Sequence, residues 1–491
     1  MSDIKLLRLI KKISNEIFLK DKDLSIQANG LLNQFKGDPS YLNKFKLSNI
    51  DLFRNLVIFI MKDIYFIFMS IKFSLKSIFK AKSGKKIKKK IKAIMFSQII
   101  SSNQNKKNDI YFGSICKVLK KKKIEYKKVF INNLGLRFVN NTFYDLTNSE
   151  NSVINININL LILFKIYVII SKKFFKYFFL SLSLNKTKEQ RKILRTLSLE
   201  FLNPNTIYNL VLEKKFESFL INFEIKNLIA TLEGFSWEKM LFYATNKISP
   251  NTRIVGYQFA TLTNNQVLSS RLINKNFKPD MIWTSGKINK SKLSRDYNNV
   301  KIVGTDRVSR LKITNINKKK NINFLVLPEG IGYEINMMLN FTLDCAKNFP
   351  QYNFIWRFHP SINKHNVLKK IIKDRVPKNI IISDKKLLKD ISNCSLFFYR
   401  GSTTAITALQ SGLYPIYINL NKKISIDPLF EFDSWKKVLN SQSEFNYFVK
   451  NEMKKNLNLD FKKKQGQKFS KNYFMKLDSK SIYKSLSIKH A

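Results

Sequence analysis

Between residues 324 and 418, five short apolar runs (324–327, 352–356, 379–382, 396–399 and 414–418) alternate with helix-patterned segments at 336–348, 365–373, 387–393 and 404–411. Runs of four or five apolar residues suit strands covered on both faces. Strands separated by helices pair in parallel, because each helix carries the chain back across the sheet. With right-handed crossovers this half of the chain is therefore expected to be a doubly wound α/β unit. The first half repeats the pattern, with strands expected at 93–100, 126–132, 227–232, 253–259, 281–285 and 300–303. Its helices are expected at 110–123, 205–219 and 236–246. Two Rossmann-like units should then present two sets of strand C-terminal ends to one cleft, where such folds bind ligands.

A chain of 491 residues is too long for one ordinary core. The expected division is a helical region over 1–92, a first Rossmann-like unit over 93–310 with an apolar insert at about 151–190, a second unit over 321–440 and a helical tail over 441–491. The polar run 311–323, with Lys318, Lys319 and Lys320, marks the boundary between the units. Residues 151–159 alternate Ile or Val with Asn, as a strand or a low-complexity loop does. The stretch 56–79 is rich in Ile, Phe and Leu but carries Lys62, Asp63, Lys72 and Lys76, which makes it a poor membrane span. A basic run, 80–92, follows it directly. The stretch 160–184 is similar, with Lys165, Lys172, Lys173 and Lys176 among its aromatic residues. Each fits an interfacial contact with anionic lipid and fits equally an ordinary core helix.

The formal net charge of +54 needs a discount. Lysine is abundant together with Asn, Ile and Phe, the pattern an AT-rich genome produces, and such lysine is spread over the surface. No zinc-finger spacing, leucine zipper or aromatic-interleaved RNA-binding pattern accompanies it, so no nucleic-acid partner is expected and an anionic inner-membrane surface is the better candidate. Cys116, Cys345 and Cys394 stand in apolar contexts without CxxC spacing, as buried thiols in a reducing compartment do. The N-terminus lacks the tripartite pattern of a signal peptide. A cytoplasmic enzyme, peripheral on the inner membrane, is the expectation.

The residues with chemistry cluster at expected strand ends. After 352–356 come Arg357 and His359, followed by Pro360. Strand alternation would place Arg357 and His359 on one face, where both can meet a phosphate and the imidazole can protonate a leaving group. After 396–399 come Arg400, Gly401, Ser402, Thr403 and Thr404. Glycine allows close backbone approach, and the hydroxyls serve equally as phosphate ligands or as caps of the next helix. After 324–327, Glu329 and Gly330 form a third such corner, where a carboxylate can accept from ribose hydroxyls or a base edge. In the first unit Glu233 closes the strand 227–232, placed to act as a general base. Glu238 falls in the first turn of the following helix, where its dipole favours an acid. Gln258, at the end of the next strand, is expected to line the acceptor side with Glu238. No GxGxxG or GxxxxGK[ST] pattern is present, which argues against a dinucleotide fingerprint and P-loop chemistry.

Glu233-Gly234, His359-Pro360 and Ser402-Thr403 resemble, in the same order, the acidic-Gly, His-Pro and Ser/Thr motifs of bacterial sialyltransferases and polysialyltransferases. More broadly, the chain resembles capsule and lipopolysaccharide biosynthesis proteins of GT-B glycosyltransferase fold over about 110–131 and 205–420. It departs from them at Leu232, where the motif has a second acid, and at Phe259, where the family often has His. The resemblance implies a GT-B-like pair of domains. Glu233 would be the base, and His359 with Ser402 and Thr403 would hold nucleotide phosphates. It implies an inverting, metal-independent transfer of a sugar, sialic-acid-like among the candidates, from a nucleotide sugar to a glycan or lipid-linked acceptor, with no further cofactor. The His-Pro and hydroxyl corners are also similar to those of glycerol-phosphate polymerases, so a CDP-glycerol-type glycerophosphotransferase is the first alternative. A non-catalytic lipid- or nucleic-acid-binding protein driven by charge is the second.

Overall fold

The structure, a computed structural model, describes residues 2–33, 39–78, 89–99, 109–132, 151–154, 159–264, 274–306, 322–330, 332–359, 362, 364–371, 376–420 and 424–487. Most of the basic run 80–92, most of the boundary run 311–323, Pro360 and part of the run 151–159 lie outside these residues.

Two parallel sheets form. The first holds β1 (Lys89–Ile99), β2 (Tyr126–Asn132), β3 (Asn151–Val153), β4 (Phe223–Thr231), β5 (Arg253–Gln258), β6 (Met281–Thr284) and β7 (Val300–Ile302) in the order β3-β2-β1-β4-β5-β6-β7. The second holds β8 (Asn323–Leu327), β9 (Asn353–Trp356), β10 (Ile380–Ile382), β11 (Leu396–Tyr399), β12 (Tyr414–Ile418) and β13 (Lys437–Leu439) in the order β10-β9-β8-β11-β12-β13. Every pairing is parallel. Both sheets thus have the doubly wound Rossmann order, which reverses once, between β1 and β4 and between β8 and β11. The two-unit α/β expectation is met. The strand Lys437–Leu439 was not expected, because a three-residue edge strand has too little pattern to read.

Both sheets are covered on both faces, which is why their strands read as apolar runs. In the second core Phe324 stacks on Phe354 with ring centroids 5.0 Å apart, and Phe398 and Phe445 pack around them. In the first, Phe96 meets Phe216 edge to face at 5.5 Å. The N-terminal helices share that core, through Leu6, Ile10, Ile26, Leu42 and Phe45. The helix Leu160–Leu182 packs there too, by one stripe, and the helix Asn49–Ile78 reaches it through Phe66 and Ile67.

The end of the chain joins the two units. The helix Asp460–Tyr473 lies on the helix Thr404–Gln410, with Gly466 against Leu409. Past it the chain crosses to the first sheet. Met475 donates its N–H to Ser285 O at 2.8 Å and accepts from Thr305 N–H at 2.8 Å, beyond β6 and β7. The helix Ser479–Ser487 then covers the first sheet, with Ile482 in its core and Ser485 O accepting from Arg253 Nη1 at 2.8 Å.

Candidate active site at the strand ends

Leu327 on β8 sits opposite Tyr399 on β11 in the register. The two strands therefore end level, and Pro328-Glu329-Gly330 and Arg400-Gly401-Ser402 emerge side by side at the switch point of the second sheet. They touch closely. A Cβ on Gly401 would run into the Glu329 carboxylate and meet Ile426 Cδ1 at 2.9 Å. Gly401 is glycine because the carboxylate occupies the space a side chain would need. Two corners noticed separately in the sequence thus form one wall. A carboxylate there suits ribose hydroxyls, while the hydroxyls of Ser402, Thr403 and Thr404 suit phosphate.

The helix after this corner begins at Thr404, and Thr403 makes no side-chain cap hydrogen bond. Helix capping therefore does not account for the Thr403 hydroxyl. Its Oγ1 lies 3.3 Å from Thr261 Oγ1, three residues past the end of β5 in the other unit. The C-terminal ends of the two sheets thus face one another and meet through these two threonines. Thr261 is a residue the sequence reading missed; its only signal is its place just beyond a strand end. Behind it, Leu262 O accepts from the Tyr473 hydroxyl at 3.0 Å, which seats this loop on the helix Asp460–Tyr473.

Glu233 follows β4 at the switch point of the first sheet and is half-buried. The carboxylate of Glu238 organises its loop. Glu238 accepts from the backbone N–H of Glu233 (3.0 Å), Gly234 (2.8 Å) and Phe235 (3.0 Å), and from the Thr231 hydroxyl (3.1 Å). Gly234 has φ 86°, a left-handed conformation that glycine adopts without strain. The Glu238 side chain is enclosed; burial first, and then the neighbouring Glu233 carboxylate, push its pKa up to about 8, against the pull of these hydrogen bonds. It does not reach the acceptor side, as was expected, but shapes the loop that presents Glu233. Gln258 is likewise internal. It donates to Ala260 O at 2.9 Å and accepts from Asn289 at 2.7 Å, fully buried, so it fixes the 258–261 turn instead of lining the cleft.

Two of the expected phosphate cations are committed elsewhere. Arg400 is fully buried and forms an ion pair with Glu334; it also donates to Ile418 O (2.8 Å), Asn419 Oδ1 (3.3 Å) and Ile424 O (3.1 Å). A guanidinium held by these acceptors staples β11 to the helix Gly332–Asn348 and the loop after β12. Arg357 donates to Asp390 Oδ2 at 2.9 Å and to Lys385 O at 2.5 Å, which turns it toward the helix Leu387–Ser392. Because β9 ends at Trp356, Arg357 and His359 lie beyond the strand and its two-residue alternation does not apply to them. His359 is exposed, in a turn closed by Ile362 N–H donating to its carbonyl at 3.0 Å. Partial desolvation lowers its pKa.

No family model matches the chain, and no curated protein matches it. Solved structures do show likeness. One is the UDP-GlcNAc 2-epimerase of Methanocaldococcus jannaschii, at 13% identity and TM-score 0.43, covering 81% of this chain and 98% of that one. The spinosyn rhamnosyltransferase SpnG matches at 10% identity and TM-score 0.44, over 80% and 99%. Phytolacca americana UGT2, solved with UDP-2-fluoro-glucose and pterostilbene, matches at 10% identity and TM-score 0.42, over 82% and 100%.

Proposed function

We propose that this protein is an inverting, metal-independent glycosyltransferase. It would move a sugar from a nucleotide sugar onto a glycan or lipid-linked acceptor in bacterial surface-polysaccharide synthesis. The observation that carries the reading is the meeting of two switch points. Glu233 stands at one, the Glu329–Gly401 wall at the other, and the Thr261–Thr403 contact brings the sheets together.

In this reading the donor lies on the second unit. Ribose hydroxyls donate to Glu329, and the phosphate meets the Ser402–Thr404 turn and His359. The acceptor hydroxyl approaches from the first unit. Its oxygen bonds to the anomeric carbon as the bond from that carbon to the phosphate oxygen breaks. The electron pair leaves with the nucleotide, and the acceptor proton goes to the Glu233 carboxylate. Hydroxyl and imidazole donors aimed at the departing phosphate stabilise charge that develops in the transition state. Arg400 and Glu238 act through position, Arg400 by holding the donor corner and Glu238 by holding the Glu233 loop. The chemistry needs no cofactor beyond the nucleotide sugar.

The test is donor profiling of the purified chain beside the variants Glu233→Gln and His359→Ala. Sugar transfer that drops at least a hundredfold in each supports the reading. Full activity in both would remove the assignment, and transfer of glycerol phosphate with release of CMP would replace it.

A further inference from the structure

The helices Asn49–Ile78 and Leu160–Leu182 touch one another and are apolar on two sides. On their inner sides Phe66 on one and Leu163, Ile166 and Ile170 on the other belong to the first core, and Leu52 is buried as well. Their outer faces should be polar if water covers them. Instead the first presents Phe53 (67% exposed), Val57, Met61, Ile64 and Phe68 at helical spacing. The second presents Leu161, Phe164 (66% exposed), Val168, Phe175 and Phe179. Ten large side chains, each with roughly 100 Å² open, approach ~1,000 Å², more than the largest apolar patch of a typical monomer.

Charge selects what covers this face. Lys62, Lys165 and Lys172 are exposed on these helices; Lys176 is exposed too but donates to Asp21 at 2.7 Å. The helix Leu160–Leu182 has no acid of its own, and the other's two are Asp51, in its first turn, and Asp63, which is buried; Asp21 and Asp23, on the N-terminal segment, pair with Lys173 and Lys176. A second copy of the chain would set lysine against lysine. An anionic bilayer accepts both chemistries, with aromatic and aliphatic groups at the acyl boundary and ammonium groups reaching up to lipid phosphates. Among the described residues no helix is long and apolar enough to cross a membrane, and the inner sides are committed to the core. A contact lying in the plane of the interface satisfies both facts.

We propose that these two helices form a platform that docks the protein onto the surface of an anionic lipid bilayer. The inference does not depend on the transferase reading, and its test does not use activity. The full chain is sedimented with vesicles of phosphatidylcholine alone and with vesicles containing about a third phosphatidylglycerol. Expected is binding to the anionic vesicles that weakens with salt. It should fall at least tenfold in Phe53→Glu/Phe68→Glu and in Phe164→Glu/Phe179→Glu, with circular dichroism and melting unchanged. In a separate variant, Phe164→Trp, the emission of the introduced indole should shift to the blue on adding anionic vesicles. Absence of binding, equal binding by the charge variants, or an unshifted emission in Phe164→Trp overturns the proposal. So does a wild-type dimer that the same Phe→Glu changes disperse, since the face would then be a contact between copies.

Discussion

Replacing Arg400 by Met separates a structural arginine from a phosphate ligand. The side chains have similar length, so the change removes charge and donors with little loss of volume. In the structure it leaves the Glu334 carboxylate, itself 1% exposed, without its cation. It also strips a charged donor from the carbonyls of Ile418 and Ile424. Breaking one side of a buried ion pair costs about 3–5 kcal/mol. For a unit of this size that corresponds to a fall in Tm on the order of 10 °C. The assay is thermal unfolding followed by circular dichroism, with and without nucleotide. Arg400→Met/Glu334→Leu should regain most of the loss, because an apolar pair no longer strands a charge. If Arg400→Met melts with the wild type and only weakens nucleotide binding, the guanidinium faces ligand and the placement argued here is wrong.

Three other changes probe the site and its surroundings. Glu238→Gln keeps the shape but weakens the acceptor shared by three backbone N–H groups; we expect a loss of about 1–3 kcal/mol in urea unfolding and a lower kcat with little change in donor KM. Gly401→Ala forces the Glu329 carboxylate aside and should raise the donor KM, whereas an unchanged donor KM would remove Glu329 from the donor site. Burial pushes Asp63 from 3.8 to about 7. The unfolded chain releases this proton near pH 4 while the fold retains it, so stability should fall as pH rises from about 4 to 7, by up to about 4 kcal/mol, and then level off. Asp63→Asn should flatten that slope in denaturant titrations at several pH values.

The fold was legible because its strands are buried on both faces and bounded by polar turns. The run 396–399, for example, becomes the strand Leu396–Tyr399 with all four residues buried. The corners were legible for the same reason, since strand ends can be counted along a chain. The partners of each side chain could not be read. Arg400 looked like a phosphate ligand because Glu334, 66 residues earlier, faces it only after folding. Gln258 looked like cleft lining because Asn289, which holds it, lies on the helix after the next strand. Thr261 carried no motif at all. The helices Asn49–Ile78 and Leu160–Leu182 were ambiguous in sequence because apolar residues fall on both of their sides, and the pattern does not show which side the core takes; in the structure Phe66 and Leu163 are buried while Phe53 and Phe164 are exposed.

The central claim is that Glu233 and the Gly401–Thr404 corner serve one reaction. Calorimetric titration of a nucleotide sugar, paired with turnover, into the wild type, Glu233→Gln and Thr403→Val tests it most directly. The transferase reading predicts saturable binding that Glu233→Gln retains while losing turnover, and that Thr403→Val weakens. Binding absent from the wild type, or turnover untouched in Glu233→Gln, would contradict it.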